Sequence, residues 1–389
     1  NHSVANKDWG TSRRKFHALL SDLLNQRSTE VHDKIDLGGG KTKLVLNSDE
    51  TIAAREVAEK IQSAFERWVF ADAERVEQLQ DIYNRTYNGR VNRKFNGSHL
   101  VVPGLNPAIT LRQAQKDAIW RGLVGGNTLF AQAVGGGKTL IQICLAHEAK
   151  RLGLANKPAL VVPNHMLEAF AGEYLRAFPR AKVLAAGKED LVGDRRRTLL
   201  MRAAMHDWDC IIITHGSFGR LGVSKDELQA FIQEVAAEVE KSVTGATDNN
   251  AVRDAMRQKK QIEAKLESLG SDEGKDGGVL SFDKLGIDML CVDEADLFKN
   301  LWFHTKKTRV AGLNNTCSAR ALDLLLKSRL IFRNRGFDGF GLNFATATPI
   351  ANTIAEMFIM QTYLHPWTLQ EKGLDSFDAW AANFAREVT

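Results

Sequence analysis

From Leu111 onward, short apolar runs alternate with longer stretches in which apolar residues recur at helical spacing. Thr128–Ala131, Ala159–Val162, Cys210–Thr214, Met289–Val292 and Gly341–Ala345 read as buried strands separated by helices, the pattern of an α/β fold with a doubly wound parallel sheet. Each run ends where a polar motif begins, and such folds bind ligands outside the carboxyl ends of their strands. The first hundred residues have a different texture. Val57, Ile61, Phe65 and Trp68 recur at helical spacing behind the start signal Asn47-Ser48-Asp49, and Val76, Leu79, Tyr83 and Tyr87 form a second stripe. A helical accessory domain is therefore expected over 1–105, with both stripes in its core.

One segment interrupts the sheet pattern. Between about 224 and 270, Leu228, Phe231, Val235 and Val239, then Ile262, Leu266 and Leu269, mark two charged helices that predict an inserted antiparallel hairpin, followed by a glycine-rich, acidic linker over 271–278. The sheet domain is expected over 106–364, with a helical extension over 365–389.

Composition narrows the class more than the function. A chain of 389 residues, 44% hydrophobic and 25% charged, is globular material for two or three domains. It has neither an apolar run of about 18 residues nor a leader-like start, so no membrane role is expected. Cys144, Cys210, Cys291 and Cys317 are widely spaced and read as reduced core thiols of a cytoplasmic protein. The net charge of +5 is mild for this length. Its clusters at Arg85 to Lys94, at Arg195-Arg196-Arg197 and at Lys306-Lys307-Thr308-Arg309 read either as solvated faces or as nucleic-acid contacts.

The strongest motif is Gly135-Gly136-Gly137-Lys138-Thr139, between the run ending at Ala131 and a helical stretch. A strand, a glycine turn and a helix N-terminus make a phosphate-binding loop. Backbone amides of Gly135, Gly136 and Gly137 close on phosphate oxygens, Lys138 reaches the outer phosphates, and the Thr139 hydroxyl is placed for Mg²⁺. The same five residue types occur at Gly38-Gly39-Gly40-Lys41-Thr42, flanked by polar residues and a short alternating run. Without a buried strand or anchoring helix, that copy reads as a turn entering a hairpin strand.

Met289-Leu290-Cys291-Val292 delivers the chain to Asp293-Glu294-Ala295-Asp296. Asp293 suits a metal on the phosphate side, and Glu294 suits activation of a water.

Together these segments resemble superfamily 2 helicases and translocases, and Asp293 through Asn300, with its Lys-Asn ending, is similar to motif II of the Swi/Snf-type group. Motif I matches at the glycine loop. Leu111-Arg112-Gln113-Ala114-Gln115 resembles the segment whose glutamine reads adenine, which nominates Gln115. Val161 through His165 is similar to motif Ia, and Ile213 through Ser217 to a later strand-end motif that touches a nucleic-acid backbone. Ala345 through Asn352 is similar to motif III. Asp296 stands where the Swi/Snf group commonly has histidine.

A narrower resemblance covers nearly the whole chain. Asn96 through Leu100, Val162 through Leu167 and Phe344 through Glu356 are similar to the large helicase–methyltransferase proteins of phages and conjugative elements, the DarB-type antirestriction group. No Asn-Pro-Pro-Tyr or Asp-Pro-Pro-Tyr signature occurs, so a methyltransferase region is expected only outside this chain.

What the resemblance implies is the first RecA-like lobe of a double-stranded DNA translocase that uses ATP and Mg²⁺. In this reading Lys138, Thr139, Asp293 and Glu294 carry hydrolysis, while Thr346 and Thr348 couple the phosphate site to DNA. Pro163, Asn164, Thr214, His215, Lys306, Lys307 and Arg309 are the nucleic-acid candidates. Nothing after Thr348 resembles a second motor lobe with its arginine finger, so the partner lobe is expected beyond this chain. Two alternatives stay open: an RNA or strand-separating helicase, and a nucleotide-responsive DNA-binding scaffold without turnover. Both defence and antirestriction fit the resemblance.

Overall fold

The structure is a computed structural model that describes residues 2–25, 29–36, 42–88, 93–243, 249–270, 281–303, 305 and 317–385. The chain divides after Lys94 into two compact units. No helix among the described residues is long and apolar enough to cross a membrane.

The first unit contains α1 (His2–Trp9), α2 (Phe16–Leu24), the strands β1 (His32–Asp36) and β2 (Thr42–Leu46), α3 (Ser48–Phe70) and α4 (Ala73–Tyr83). Asn47 starts α3 as the sequence anticipates, its side-chain oxygen accepting from the Glu50 amide at 3.0 Å. Strands β1 and β2 pair antiparallel, Asp36 opposite Thr42. Residues 37–41, which hold most of the first glycine–lysine copy, lie outside the described residues. Leu19, Val31, Ala54 and Ile61 form a small core.

The expected stripes are only half core. Burial along α3 ends at Ile61, and Phe65 and Trp68 are 60% and 54% exposed. The Arg75 guanidinium lies 3.8 Å from the Trp68 ring centroid, a cation–π contact that covers one face of the indole. Helix α4 buries no residue, so Leu79 and Tyr83 are surface residues.

The second unit is the expected RecA-like α/β body. Its elements are α5 (Gln113–Val124), β3 (Thr128–Ala131), α6 (Lys138–Arg151), β4 (Pro158–Val162), α7 (Leu167–Ala177), β5 (Val183–Ala186), α8 (Gly193–Met205), β6 (Cys210–Thr214), α9 (His215–Phe218), α10 (Lys225–Val243), α11 (Asn249–Gly270), β7 (Met289–Asp293), α12 (Ala319–Asn334), β8 (Leu342–Thr346), α13 (Ala355–Leu364), α14 (Pro366–Glu371) and α15 (Phe377–Phe384). Six strands form one sheet in the order β3-β8-β7-β4-β6-β5, every pair parallel. Strands β4, β6, β7 and β8 are buried at every position, as a parallel sheet covered on both faces requires. Two apolar cores flank it, one including Phe130, Ile143 and Phe170, the other Phe218, Leu324 and Phe344.

Residues 95–105, placed with the helical domain by sequence, pack on this body instead. The Gly97 amide donates to Asp117 Oδ1 at 2.7 Å, and Leu100 and Val102 are buried in the same core as Ile119. The inserted hairpin forms as α10 and α11. Its base belongs to the core through Leu228, Phe231, Val235, Ile262 and Leu266, and Arg329 and Arg333 on α12 pair with Glu234 and Glu227 on α10 at 3.1 and 2.6 Å. The side chains of Val239 and Leu269 and the linker 271–278 lie outside the described residues. The stretch after Leu364, expected as an extension, packs back on α13: Phe377 and Trp380 are buried, and Trp380 Nε1 donates to Gln361 Oε1 at 2.7 Å.

Candidate active site

Parallel registration brings separate motifs to one edge of the sheet. Ala131 of β3 lies opposite Thr346 of β8, and Ala345 opposite Asp293 of β7. Val161 of β4 lies opposite Val292, and Val162 opposite Thr214 of β6. The glycine loop, the threonine pair, the acidic pair and both nucleic-acid candidate turns therefore leave the sheet on one side, each at a carboxyl end.

The loop from Gln132 to Gly137 runs directly into α6. Gly135 and Gly137 have φ of +78° and +84°, a region that costs L side chains heavily and glycine little. A Cβ at Gly137 would also lie 2.2 Å from Gln115 Nε2. Lys138 Nζ donates to the carbonyl oxygens of Gln132 and Ala133 at 3.0 and 3.4 Å, so the ammonium rests on the loop's own acceptors. Behind the loop, Arg112 Nη2 donates to the Gly136 and Gly135 oxygens at 3.0 and 3.4 Å. Gln115 is buried against it, its Oε1 accepting from the Arg112 amide at 2.9 Å to close the start of α5.

Across from the loop, Asp293 is 7% exposed and its Oδ1 accepts from Gln142 Nε2 at 2.8 Å. Burial raises its pKa above the usual carboxylate value, opposed by the Gln142 hydrogen bond and the Lys138 charge. Glu294 has φ of +48°, an uncommon conformation outside glycine. Its pKa is also raised, first by burial and then by the Asp293 and Asp296 charges. Asp296 Oδ1 accepts from Thr346 Oγ1 at 3.0 Å, and the same hydroxyl oxygen accepts from the Thr348 amide at 3.1 Å.

The nucleic-acid candidates divide. Asn164 is exposed and its Oδ1 accepts from the Gly216 amide at 3.0 Å, tying the turn after β4 to the turn after β6. Pro163 is buried. Thr214 and His215 are 3% and 7% exposed, and both side chains serve the interior. Thr214 Oγ1 caps α9 through the Ser217 amide at 3.1 Å, and His215 Nε2 contacts the Asp293 carbonyl oxygen at 2.9 Å. Burial lowers the pKa of His215, so the neutral ring donates to that carbonyl. Lys306, Lys307 and Arg309 lie outside the described residues.

Two residues at the site escaped the sequence reading. Gln142 sits four residues after Lys138, on the same helix face, and that spacing is the signal that could have found it. Arg112 adjoins the nominated Gln115 but gives no sign of reaching the loop.

The donor set fits a polyphosphate with a hard divalent cation: glycine amides at a helix N-terminus, one ammonium, one hydroxyl and one buried carboxylate. Among the described residues no group of three or more His, Cys, Asp or Glu is arranged to hold a metal ion by itself, so phosphate and water oxygens would complete such a cation's shell.

Residues 120–389 match a family described as a probable helicase domain, and residues 1–89 match a domain of unknown function. No relative is found among curated proteins. Among solved structures, the Sulfolobus solfataricus SWI2/SNF2 ATPase core in complex with dsDNA matches at 15% identity and a TM-score of 0.38, over 71% of this chain and 40% of that one. The present chain thus spans less than half the length of that structure.

Proposed function

This chain belongs to the probable helicase domain family, and from that premise we propose that it is the first lobe of a motor that hydrolyses ATP and tracks along double-stranded DNA. The observation that carries the reading is the registration of three adjacent strands, β3, β8 and β7, whose ends bring the glycine loop, Thr346 and Asp293 side by side.

In this reading the amides of Gly135, Gly136 and Gly137 and the ammonium of Lys138 bind the β and γ phosphates, Lys138 exchanging its two loop carbonyls for phosphate oxygens. Mg²⁺ held by Thr139 and Asp293 would neutralise charge on the phosphoryl oxygens when bound. Gln142 holds the Asp293 carboxylate in one orientation. Glu294 takes a proton from the attacking water, and its raised pKa makes it a stronger base than an ordinary carboxylate. Gln115 commits its oxygen to the helix start, so adenine selection falls to its amide nitrogen. Asp296, Thr346 and Thr348 form a continuous polar path from the acidic pair to the following loop, the route proposed for coupling hydrolysis to DNA.

The exposed Asn164 is the proposed backbone contact, with Lys306, Lys307 and Arg309 adding charge that makes affinity salt-dependent. A second RecA-like lobe would supply the other half of the phosphate cleft. The proposed setting is a larger phage- or mobile-element-associated defence or antirestriction protein, with any methyltransferase region outside these residues. An RNA or strand-separating helicase is the second reading, favoured by the Asp293-Glu294-Ala295-Asp296 tetrad.

ATP turnover measured with duplex DNA, single strands and RNA, for this chain and for one joined to a second lobe, separates these readings. The expected result is strong stimulation by duplex DNA in the two-lobe protein only. Greater stimulation by RNA or single strands favours the strand-separating reading, and binding of ATP without turnover in either protein would leave only a scaffold.

A further inference from the structure

Glu356 lies in the first turn of α13 and is 5% exposed, yet four donors converge on its carboxylate. Oε2 accepts from the Ala351 amide at 2.6 Å and the Asn352 amide at 3.4 Å. Oε1 accepts from Asn352 Nδ2 at 3.2 Å and pairs with Lys299 Nζ at 3.0 Å. Burial opposes its charge, but these amides and Lys299 hold its pKa below the usual value.

The partners belong to two segments already tied once. Lys299 ends the short helical turn Ala295–Phe298 that follows the acidic pair, while Ala351 and Asn352 lie in the loop after Thr346. At the near end the loop meets the acidic segment through Thr346 and Asp296. At the far end it meets the same segment through Glu356 and Lys299. Between these ties Ile350 and Ile354 are 42% and 38% exposed, and Thr348, Ala351 and Asn352 are exposed as well.

We propose that Glu356 and Lys299 are positioning residues that lock loop 347–354 to the acidic segment at its far end, so that the loop moves as one piece when nucleotide occupies the site. The inference rests on the ATPase reading above. A helix start alone does not require this arrangement, because the carboxylate's partners lie in the preceding loop and in another motif. The chemistry requires an acceptor on both oxygens. In Glu356→Gln one oxygen becomes an NH₂ that faces a donor whichever way the amide turns.

The test is hydrogen exchange of the peptide spanning 349–354, with and without Mg²⁺ and a non-hydrolysable ATP analogue, alongside analogue affinity. In the wild type, nucleotide should slow exchange in this loop. Glu356→Gln and Lys299→Met should bind the analogue normally and lose at least about tenfold of that nucleotide-linked slowing. Lys299→Arg, which keeps the cation, should retain it. Equal slowing in Glu356→Gln overturns the proposal. So does a wild-type loop that ignores bound nucleotide, or a variant that loses analogue affinity in parallel, since the residue then supports only the fold. DNA is absent from this measurement, so a failure of DNA stimulation counts against the DNA reading and leaves the lock judged separately.

Discussion

Gln142 Nε2 donates to Asp293 Oδ1 at 2.8 Å across a buried gap between α6 and β7. This one hydrogen bond joins the helix that begins at Lys138 to the strand that carries the acidic pair. A hydrogen bond to a charged group contributes about 1.5–3 kcal/mol, so Gln142→Leu should raise the Asp293 pKa further and weaken Mg²⁺-dependent turnover roughly 10–100-fold. The Mg²⁺ dependence of ATP hydrolysis at fixed ATP reads this directly. Unchanged Mg²⁺ dependence would mean that Asp293 needs no orienting partner.

Lys138 and Lys41 stand in the same five-residue pattern and should differ completely. Lys138 follows β3 and opens α6, whereas the other copy leads into the two-stranded hairpin at Thr42. Lys138→Ala should reduce nucleotide affinity by at least about tenfold, and Lys41→Ala should leave it within about twofold. Fluorescent-nucleotide titration of both variants decides which loop binds.

Glu294→Gln keeps the side chain's size and removes its basicity. ATP affinity should persist while turnover falls by about 10²–10⁴-fold, the range for a positioned general base. Because burial and neighbouring carboxylates raise its pKa, the acid limb of the wild-type turnover profile should lie above the usual carboxylate range. Single-turnover rates across pH supply both readings, and wild-type rates in the variant would remove Glu294 from the reaction.

Three histidines, His215 buried and His147 and His365 half-buried, set an acid limit on stability. Burial is the largest cause lowering the pKa of each of His147, His215 and His365. Between their lowered native values and the unfolded value of about 6.5, the unfolded chain binds more protons, so stability falls as pH falls through this window. The raised carboxylates Asp293, Glu294 and Asp323 act with the opposite sign. Urea midpoints measured at steps below neutrality should decline for the wild type, and His215→Gln should decline less steeply. Identical slopes would mean that His215 takes up its proton without cost to the fold.

The sequence by itself determined the α/β body and the chemistry available to it. Buried strands in a parallel sheet are continuous apolar runs, so the strands ending at Ala131, Val162, Thr214 and Asp293 were legible locally, as were the glycine loop and the acidic pair that follow them. The Asn47 start signal was legible for the same reason, since a cap acts within one turn. Tertiary structure decided what depends on partners distant in the chain. Phe65 and Trp68 carry a core-like pattern, yet α1 and α2 reach only the first part of α3, and periodicity cannot state how far a neighbouring element extends. Thr214 and His215 read as contacts for nucleic acid, but burial turned their side chains to a helix cap and to the Asp293 carbonyl. Gln142 shares a helix face with Lys138, but its partner, like those of Arg112 and Glu356, lies on a segment brought near only by strand registration and loop closure. Hydrogen bonds between such segments form where the fold juxtaposes a donor and an acceptor, and no spacing within the chain encodes that meeting.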